Sequence, residues 1–155
     1  MGIEIERKFL VSDDRWKALA SPEYYCQGYL NLDQSRTVRI RITGKQGILT
    51  IKGPSEANRR LEFEYEVPLA DARQMMELVD GTPIEKNRYK IPLGEHVWEV
   101  DEFLGDNLGL VVAEIELKSI EERFEKPDWI GAEVSDDRRY FNSQLVQNPF
   151  RNWSR

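Results

Sequence analysis

Charged side chains recur at every second position along this 155-residue chain: Glu4-x-Glu6-x-Lys8, Arg39-x-Arg41, Glu62-x-Glu64-x-Glu66, Lys86-x-Arg88-x-Lys90, Glu99-x-Asp101 and Glu114-x-Glu116-x-Lys118. In an extended strand, residues two apart point to the same side, so each group presents its charges together. For any one strand the simpler explanation is the wet face of an antiparallel sheet. The whole set is harder to explain that way. Clustered like charges repel their cross-strand neighbours unless opposite charges or ions lie across from them. Carboxylates are the oxygen donors that hard divalent cations such as Mg2+ take, and Lys and Arg neutralise phosphate oxygens. The chemistry open to such a set is the binding of a metal-bound polyanion.

The elements that must position these groups are strands. Period-two alternation predicts eight of them, at about residues 3–11, 25–32, 36–43, 47–53, 60–68, 83–92, 96–104 and 110–118. Turn residues at Gly44-Lys45-Gln46-Gly47, Pro92-Leu93-Gly94-Glu95 and Gly105-Asp106-Asn107 mark antiparallel connections. Helical stretches are expected at Asp13–Ala20, Ala70–Val79 and Ser119–Phe124, with a last turn or two between Ser135 and Val146. The fold class is mainly β (α+β): an eight-stranded antiparallel closed β-barrel with a few peripheral helices. One domain is expected over residues 1–155, with the barrel over about 3–118 and a C-terminal helical segment over about 119–155. An eight-stranded barrel has room for side chains or one small ligand. With charges inward and apolar faces outward, its lumen has a basic wall of Lys8, Arg39, Arg41, Lys52, Lys86 and Arg88. The acidic wall is Glu4, Glu6, Glu62, Glu64, Asp101, Glu114 and Glu116.

Composition narrows the partners. Hydrophobic residues are 40% and charged residues 32% of the chain, enough to bury a core with charge to spare. Its 22 Lys plus Arg against 28 Asp plus Glu give a net charge of -6, which opposes nonspecific attraction to nucleic acid or anionic membrane. Cys26 stands alone, so neither a disulfide framework nor a Cys-based zinc cluster is available. With no apolar leader or membrane span, a cytoplasmic location is expected. His96 follows a turn and reads as solvated, Trp16, Trp98, Trp129 and Trp153 read as packing residues, and Cys26 reads as an inert core thiol. The tail from Gln147 to Arg155 is expected to dock on the barrel or on a second subunit of a homodimer.

Glu4-x-Glu6-x-Lys8 resembles the ExExK signature of CYTH domains, the triphosphate tunnel metalloenzymes. It is followed in order by Gln27-Gly28-Tyr29-Leu30, Val38-Arg39-Ile40-Arg41, Thr50-Ile51-Lys52, Glu62-Phe63-Glu64, Glu85-Lys86-Asn87-Arg88-Tyr89, Glu99-Val100-Asp101, Ala113-Glu114-Ile115-Glu116 and Asp137-Arg138-Arg139-Tyr140. The resemblance implies an eight-stranded tunnel barrel and divalent-metal chemistry on triphosphates. It places Lys8, Arg39, Arg41, Lys52 and Arg88 at phosphate-binding positions and Glu4, Glu6, Asp101, Glu114 and Glu116 at metal-binding positions, with Glu62 and Glu64 as further tunnel acids. Arg138 departs from the Lys of an Asp-Lys-Arg-Tyr segment in related short members; it keeps the charge as a planar fork and is carried as a phosphate contact.

The expected activity is hydrolysis of inorganic tripolyphosphate with Mg2+ or Mn2+, the compact length being similar to short bacterial tripolyphosphatases. Phosphoryl transfer depends mainly on positioning and electrostatic stabilisation, so no covalent nucleophile is required. Lys86 is the candidate to steer the attacking water, and Glu62 or Glu64 to help hold a second metal that activates it. The alternatives are cyclisation of ATP as in class IV adenylate cyclases, thiamine or nucleoside triphosphate hydrolysis, and a noncatalytic polyphosphate-binding module.

Overall fold

Alternation of Ile3, Ile5, Phe9 and Val11 with Glu4, Glu6 and Lys8 makes the first segment extended and two-faced. In the computed structural model, which describes residues 2–154, that segment is β1 (Ile3–Val11). It is followed by β2 (Pro22–Asn31), β3 (Thr37–Thr43), β4 (Gln46–Lys52), β5 (Arg59–Val67), α1 (Leu69–Met76), β6 (Asp80–Leu93), β7 (His96–Phe103), β8 (Val111–Glu116), β9 (Ile130–Glu133) and α2 (Asn142–Gln147). Single 3-10 turns lie at Arg15–Ala18, Gly105–Asn107, Arg138–Tyr140 and Phe150–Asn152. No helix among the described residues is long and apolar enough to cross a membrane.

The wall runs β1, β8, β7, β6, β2, β3, β4, β5, with every neighbouring pair antiparallel. It closes through Ile3↔Leu61, Glu4↔Arg60 and Ile5↔Arg59 between β1 and β5. β1 is shared three ways. Its middle pairs with β8 from Glu6↔Glu116 to Phe9↔Ala113, and beyond the reach of β5 its end pairs with β9 at Phe9↔Glu133 and Val11↔Ile130.

Because charge fills the lumen, most of the apolar core lies outside the barrel. Phe9, Ile5, Trp98, Val100, Ala113 and Ile115 project outward from β1, β7 and β8 and meet Trp16, Trp129 and Ile130. Trp98 is fully buried, with ring centroids 5.5 Å from Phe9, 5.7 Å from Phe124 and 6.2 Å from Trp129. On the other side α1 packs on β3 and β4, and Gly47 admits it: a Cβ there would stand 2.5 Å from the Cβ of Ala72.

Two features differ from the sequence expectation. Ser119–Phe124 is not helical. It turns at 120–121 and then continues without regular structure, which lets Phe124 pack on Trp98 and Phe9 while the Glu125 carbonyl accepts the Trp98 indole N–H at 3.2 Å. The C-terminal segment is therefore not all helical: it adds β9, a four-residue strand too short for alternation to reveal. The tail docks on its own barrel, with Trp153 edge-on to Tyr140 and Phe150, and the Asn107 side chain accepting from the Phe150 backbone N–H.

Removing the ring at the centre of the outer core should be costly. Trp98→Ala is expected to lower unfolding free energy by about 3–5 kcal/mol in urea titrations, whereas exposed Leu78→Ala should change it by less than about 0.5 kcal/mol.

Candidate active site

The inward rows of all eight barrel strands converge on one chamber of about 260 Å³. Glu4, Glu6 and Lys8 enter from β1, Arg39 and Arg41 from β3, Lys52 from β4, Glu62 and Glu64 from β5, Lys86 and Arg88 from β6, and Glu114 and Glu116 from β8. One end carries an apolar layer: the inward Ile84, Phe103 and Val112 pack with Tyr140 and Leu145, and Phe141, Asn142 and Ser143 line the chamber beside it.

Most charges are matched in pairs. Lys8 Nζ donates to Glu114 at 2.8 Å and lies 3.2 Å from Glu6, and Lys52 Nζ lies 3.0 Å from Glu4 and 3.4 Å from Glu62. Arg39 Nη2 donates to Thr50 Oγ1 at 3.0 Å and lies 3.5 Å from Glu64. Burial and the charge of Glu4 push the Glu6 carboxyl up, but Lys8, Lys52 and a hydrogen bond with Glu114 together hold it below its ordinary value.

Asp101 is placed differently from the metal position implied for it. It is 1% exposed and is not among the chamber-lining residues. Its Oδ1 accepts from Arg88 Nε at 2.7 Å, and its Oδ2 from Arg88 Nη2 at 2.8 Å and Lys86 Nζ at 2.7 Å. Both oxygens hold cations, so Asp101 orients Lys86 and Arg88 from behind. Arg138 is exposed on the 3-10 turn Arg138–Tyr140 and is not among the chamber-lining residues, whereas Phe141 and Asn142 just after that turn are. His96, expected to be solvated, pairs with Glu122 at 2.6 Å.

Other residues take part that alternation does not mark. Gln27 accepts from Arg41 Nε at 2.9 Å and donates to Asn142 Oδ1 at 3.0 Å, and the same Asn142 oxygen accepts from Lys86 Nζ at 2.9 Å. Tyr25 lies under both Arg41 and Arg88, whose guanidinium carbons are 4.7 and 5.0 Å from its ring centroid. Lys90 and Glu99, both in the alternating rows, complete the charged lining with Arg60, which had a usable signal, lying two residues before Glu62.

Two regions are left unbalanced, with opposite signs. Arg41 is buried, yet among the described residues it has no carboxylate within ion-pairing distance; burial and the adjacent Arg39 and Arg88 charges push it below its ordinary value. Arg39 Nε beside it is buried without a hydrogen-bond partner among the described residues. Across the chamber, Glu6 faces Glu116 and Glu99 faces Glu114 directly between strands, and of these four only Glu116 has no cation within ion-pairing distance among the described residues. Burial, with Glu4, Glu6 and Glu99, drives the Glu116 carboxyl up to about 7. Burial, with Arg88 and Arg41, outweighs Asp101 and draws Lys86 down to about 7. Among the described residues no three His, Cys, Asp or Glu side chains are grouped to hold a metal ion by themselves, because Lys8 and Lys52 stand between the acids. Mg2+ is commonly held by one or two carboxylates together with substrate phosphates, and this all-oxygen donor set fits that shared arrangement.

The CYTH domain family model matches residues 2–144. The chain belongs to the CYTH family. Among curated proteins, this CYTH chain is 51% identical over 154 residues to an inorganic triphosphatase of Acetivibrio thermocellus, covering 99% of both chains. It is 33% identical over 151 residues to an inorganic triphosphatase of Nitrosomonas europaea, covering 92% of this chain and 96% of that one. A solved inorganic triphosphatase matches with a TM-score of 0.65 and 30% identity, over 92% of this chain and 96% of that one.

Two outcomes are expected from this electrostatic arrangement. Glu116 binds a proton more tightly folded than unfolded, so its contribution to stability is full below about pH 4.5 and is lost as pH rises through about 7. The carboxyl is partly solvated at the chamber rim, so the effect is modest; in metal-free buffer, Glu116→Gln should flatten that part of the Tm-versus-pH curve. Asp101→Asn leaves Lys86 and Arg88 without their counter-charge, and should cost about 3–5 kcal/mol in urea unfolding.

Proposed function

We propose that this chain is an inorganic triphosphatase that hydrolyses tripolyphosphate with Mg2+ or Mn2+ in the barrel chamber. The observation that carries this is the pair of opposite imbalances in one cavity: Arg41, which has no carboxylate partner among the described residues, with Arg39 Nε beside it, and the Glu116 carboxylate set opposite Glu6. A polyphosphate would compensate the first, a divalent cation the second, and only a ligand carrying both would complete the site. The two curated CYTH relatives support the same reading by name.

In this reading Arg39, Arg41, Arg88, Lys8 and Lys52 bind phosphate oxygens, and Tyr25, Gln27 and Asp101 fix the arginines' planes before substrate arrives. Such preorganised charge accounts for much of phosphoryl-transfer catalysis. Glu4, Glu6, Glu114 and Glu116 would hold the cation, with Glu62 and Glu64 next to them. When bound, the cation supplies positive charge to the reacting phosphate oxygens. Lys86, drawn to about 7, is held by Asp101 and Asn142 where the third position on its Nζ, a lone pair when neutral and an N–H when charged, can take up or hand on a proton of the attacking water. Water adds to the terminal phosphorus as the bridging P–O bond breaks, leaving orthophosphate and pyrophosphate.

A panel of tripolyphosphate, ATP and thiamine triphosphate, with and without Mg2+ or Mn2+, tests this. The expected result is cation-dependent orthophosphate release from tripolyphosphate, reduced on the order of 100-fold or more in folded Arg41→Ala and Glu6→Ala variants. Cyclic AMP as the product, or tight polyphosphate binding without turnover, would overturn it.

A further inference from the structure

A barrel whose lumen is filled with charge must cover its apolar side chains from outside. On β6, β7, β8 and the end of β1 the cover is Trp16, Phe124, Trp129 and Ile130. On β3 and the start of β4 it is α1. Among the described residues no helix or aromatic cluster covers the outward row of β5: Leu61 is 53%, Phe63 42% and Tyr65 60% exposed. Their ladder neighbours extend the bare area, Ile3 opposite Leu61 on β1 and Ile51 opposite Phe63 on β4, at 46% and 38% exposed. Five of the large exposed apolar side chains therefore form one continuous face over three adjacent strands, and none of them lines the chamber.

We propose that two copies of this chain pack through this face, β5 crossing β5 about a twofold axis. The five side chains expose on the order of 500 Å², at the upper end for the largest patch on a typical monomer. A standard interface takes about 800 Å² from each partner, so the face supplies its apolar core and the strand ends and adjoining loops supply a polar rim. Phe63 sits at the centre with Tyr65 beside it, and aromatic residues so placed dominate interface energetics. A twofold contact needs only a surface that complements itself, which a nearly uncharged apolar row does. Its one charge in the outward row of β5 is Arg59 at the end. An anionic membrane is the less suited occupant, since the chain carries a net charge of -6 and the face lacks a basic surround.

Sedimentation velocity on the full chain over a wide concentration range is the test. The wild type is expected to run as a concentration-dependent dimer, and Phe63→Glu to weaken the dimer on the order of 100-fold or more, with circular dichroism unchanged. Tyr65→Ser, at the most exposed of the five positions, is the second variant should Phe63→Glu fail to fold; it should weaken the dimer in the same direction. A wild type that stays monomeric at every concentration would overturn the proposal, and so would a dimer that both folded variants leave intact. Binding of the wild type to anionic phosphatidylserine vesicles, lost in the same variants, would assign the face to a membrane instead. None of these outcomes depends on which triphosphate the chamber accepts.

Discussion

The enclosure of many ionised side chains in one small chamber is the constraint to which the rest of this structure answers. Charges removed from water are tolerated only when paired and hydrogen-bonded. The lumen meets that condition locally, with Lys8 between Glu6 and Glu114, Lys52 between Glu4 and Glu62, and Asp101 gripped by Arg88 and Lys86. The same constraint displaces the hydrophobic core to the outer surface, where Trp98, Phe9 and Trp129 do the packing that inward residues do in most small barrels. Architecture and chemistry thus have one cause: the strands that cannot be apolar inside must be apolar outside.

Much of this was legible in the sequence because a strand has a period of two. Charges spaced as in Arg39-x-Arg41 or Glu114-x-Glu116 can only share a side, and their number required an enclosed and compensated interior. What alternation could not give was depth. Asp101 and Glu99 lie on the same side of β7, yet Glu99 lines the chamber while Asp101 sits behind it, a difference set by where Lys86 and Arg88 cross β7 in the ladder. β9 was invisible because four residues hold two cycles of the pattern, and Ser119–Phe124 reads as helical although Phe124 is needed in the outer core. Arg138 matched by its motif, but a 3-10 turn has no period that fixes direction.

Neutral polar residues were the other blind spot, since Gln27 and Asn142 look like ordinary solvated side chains in a sequence. In the folded chain they complete a ring: Arg41 to Gln27, to Asn142, to Lys86, to Asp101, to Arg88, and back to Arg41 across the face of Tyr25. The ring joins β2, β3, β6, β7 and α2, so the last helix is tied to the same groups that orient the basic wall. A buried hydrogen-bonded network of this kind fixes one arrangement among many of similar packing, although it leaves Arg41 without a counter-charge.

The three-way sharing of β1 has a consequence for how the chain is made. Its partners lie far downstream: Leu61 for Ile3, Glu116 for Glu6 and Ile130 for Val11. During synthesis β1 therefore waits for β5 (Arg59–Val67) to emerge and then for β8 (Val111–Glu116) and β9 (Ile130–Glu133), and every intermediate before that is an open sheet with exposed edges. The alternating Glu4, Glu6 and Lys8 make that waiting segment a poor template for pairing with another nascent chain, so the residues suited to phosphate and metal also guard the molecule before it has closed.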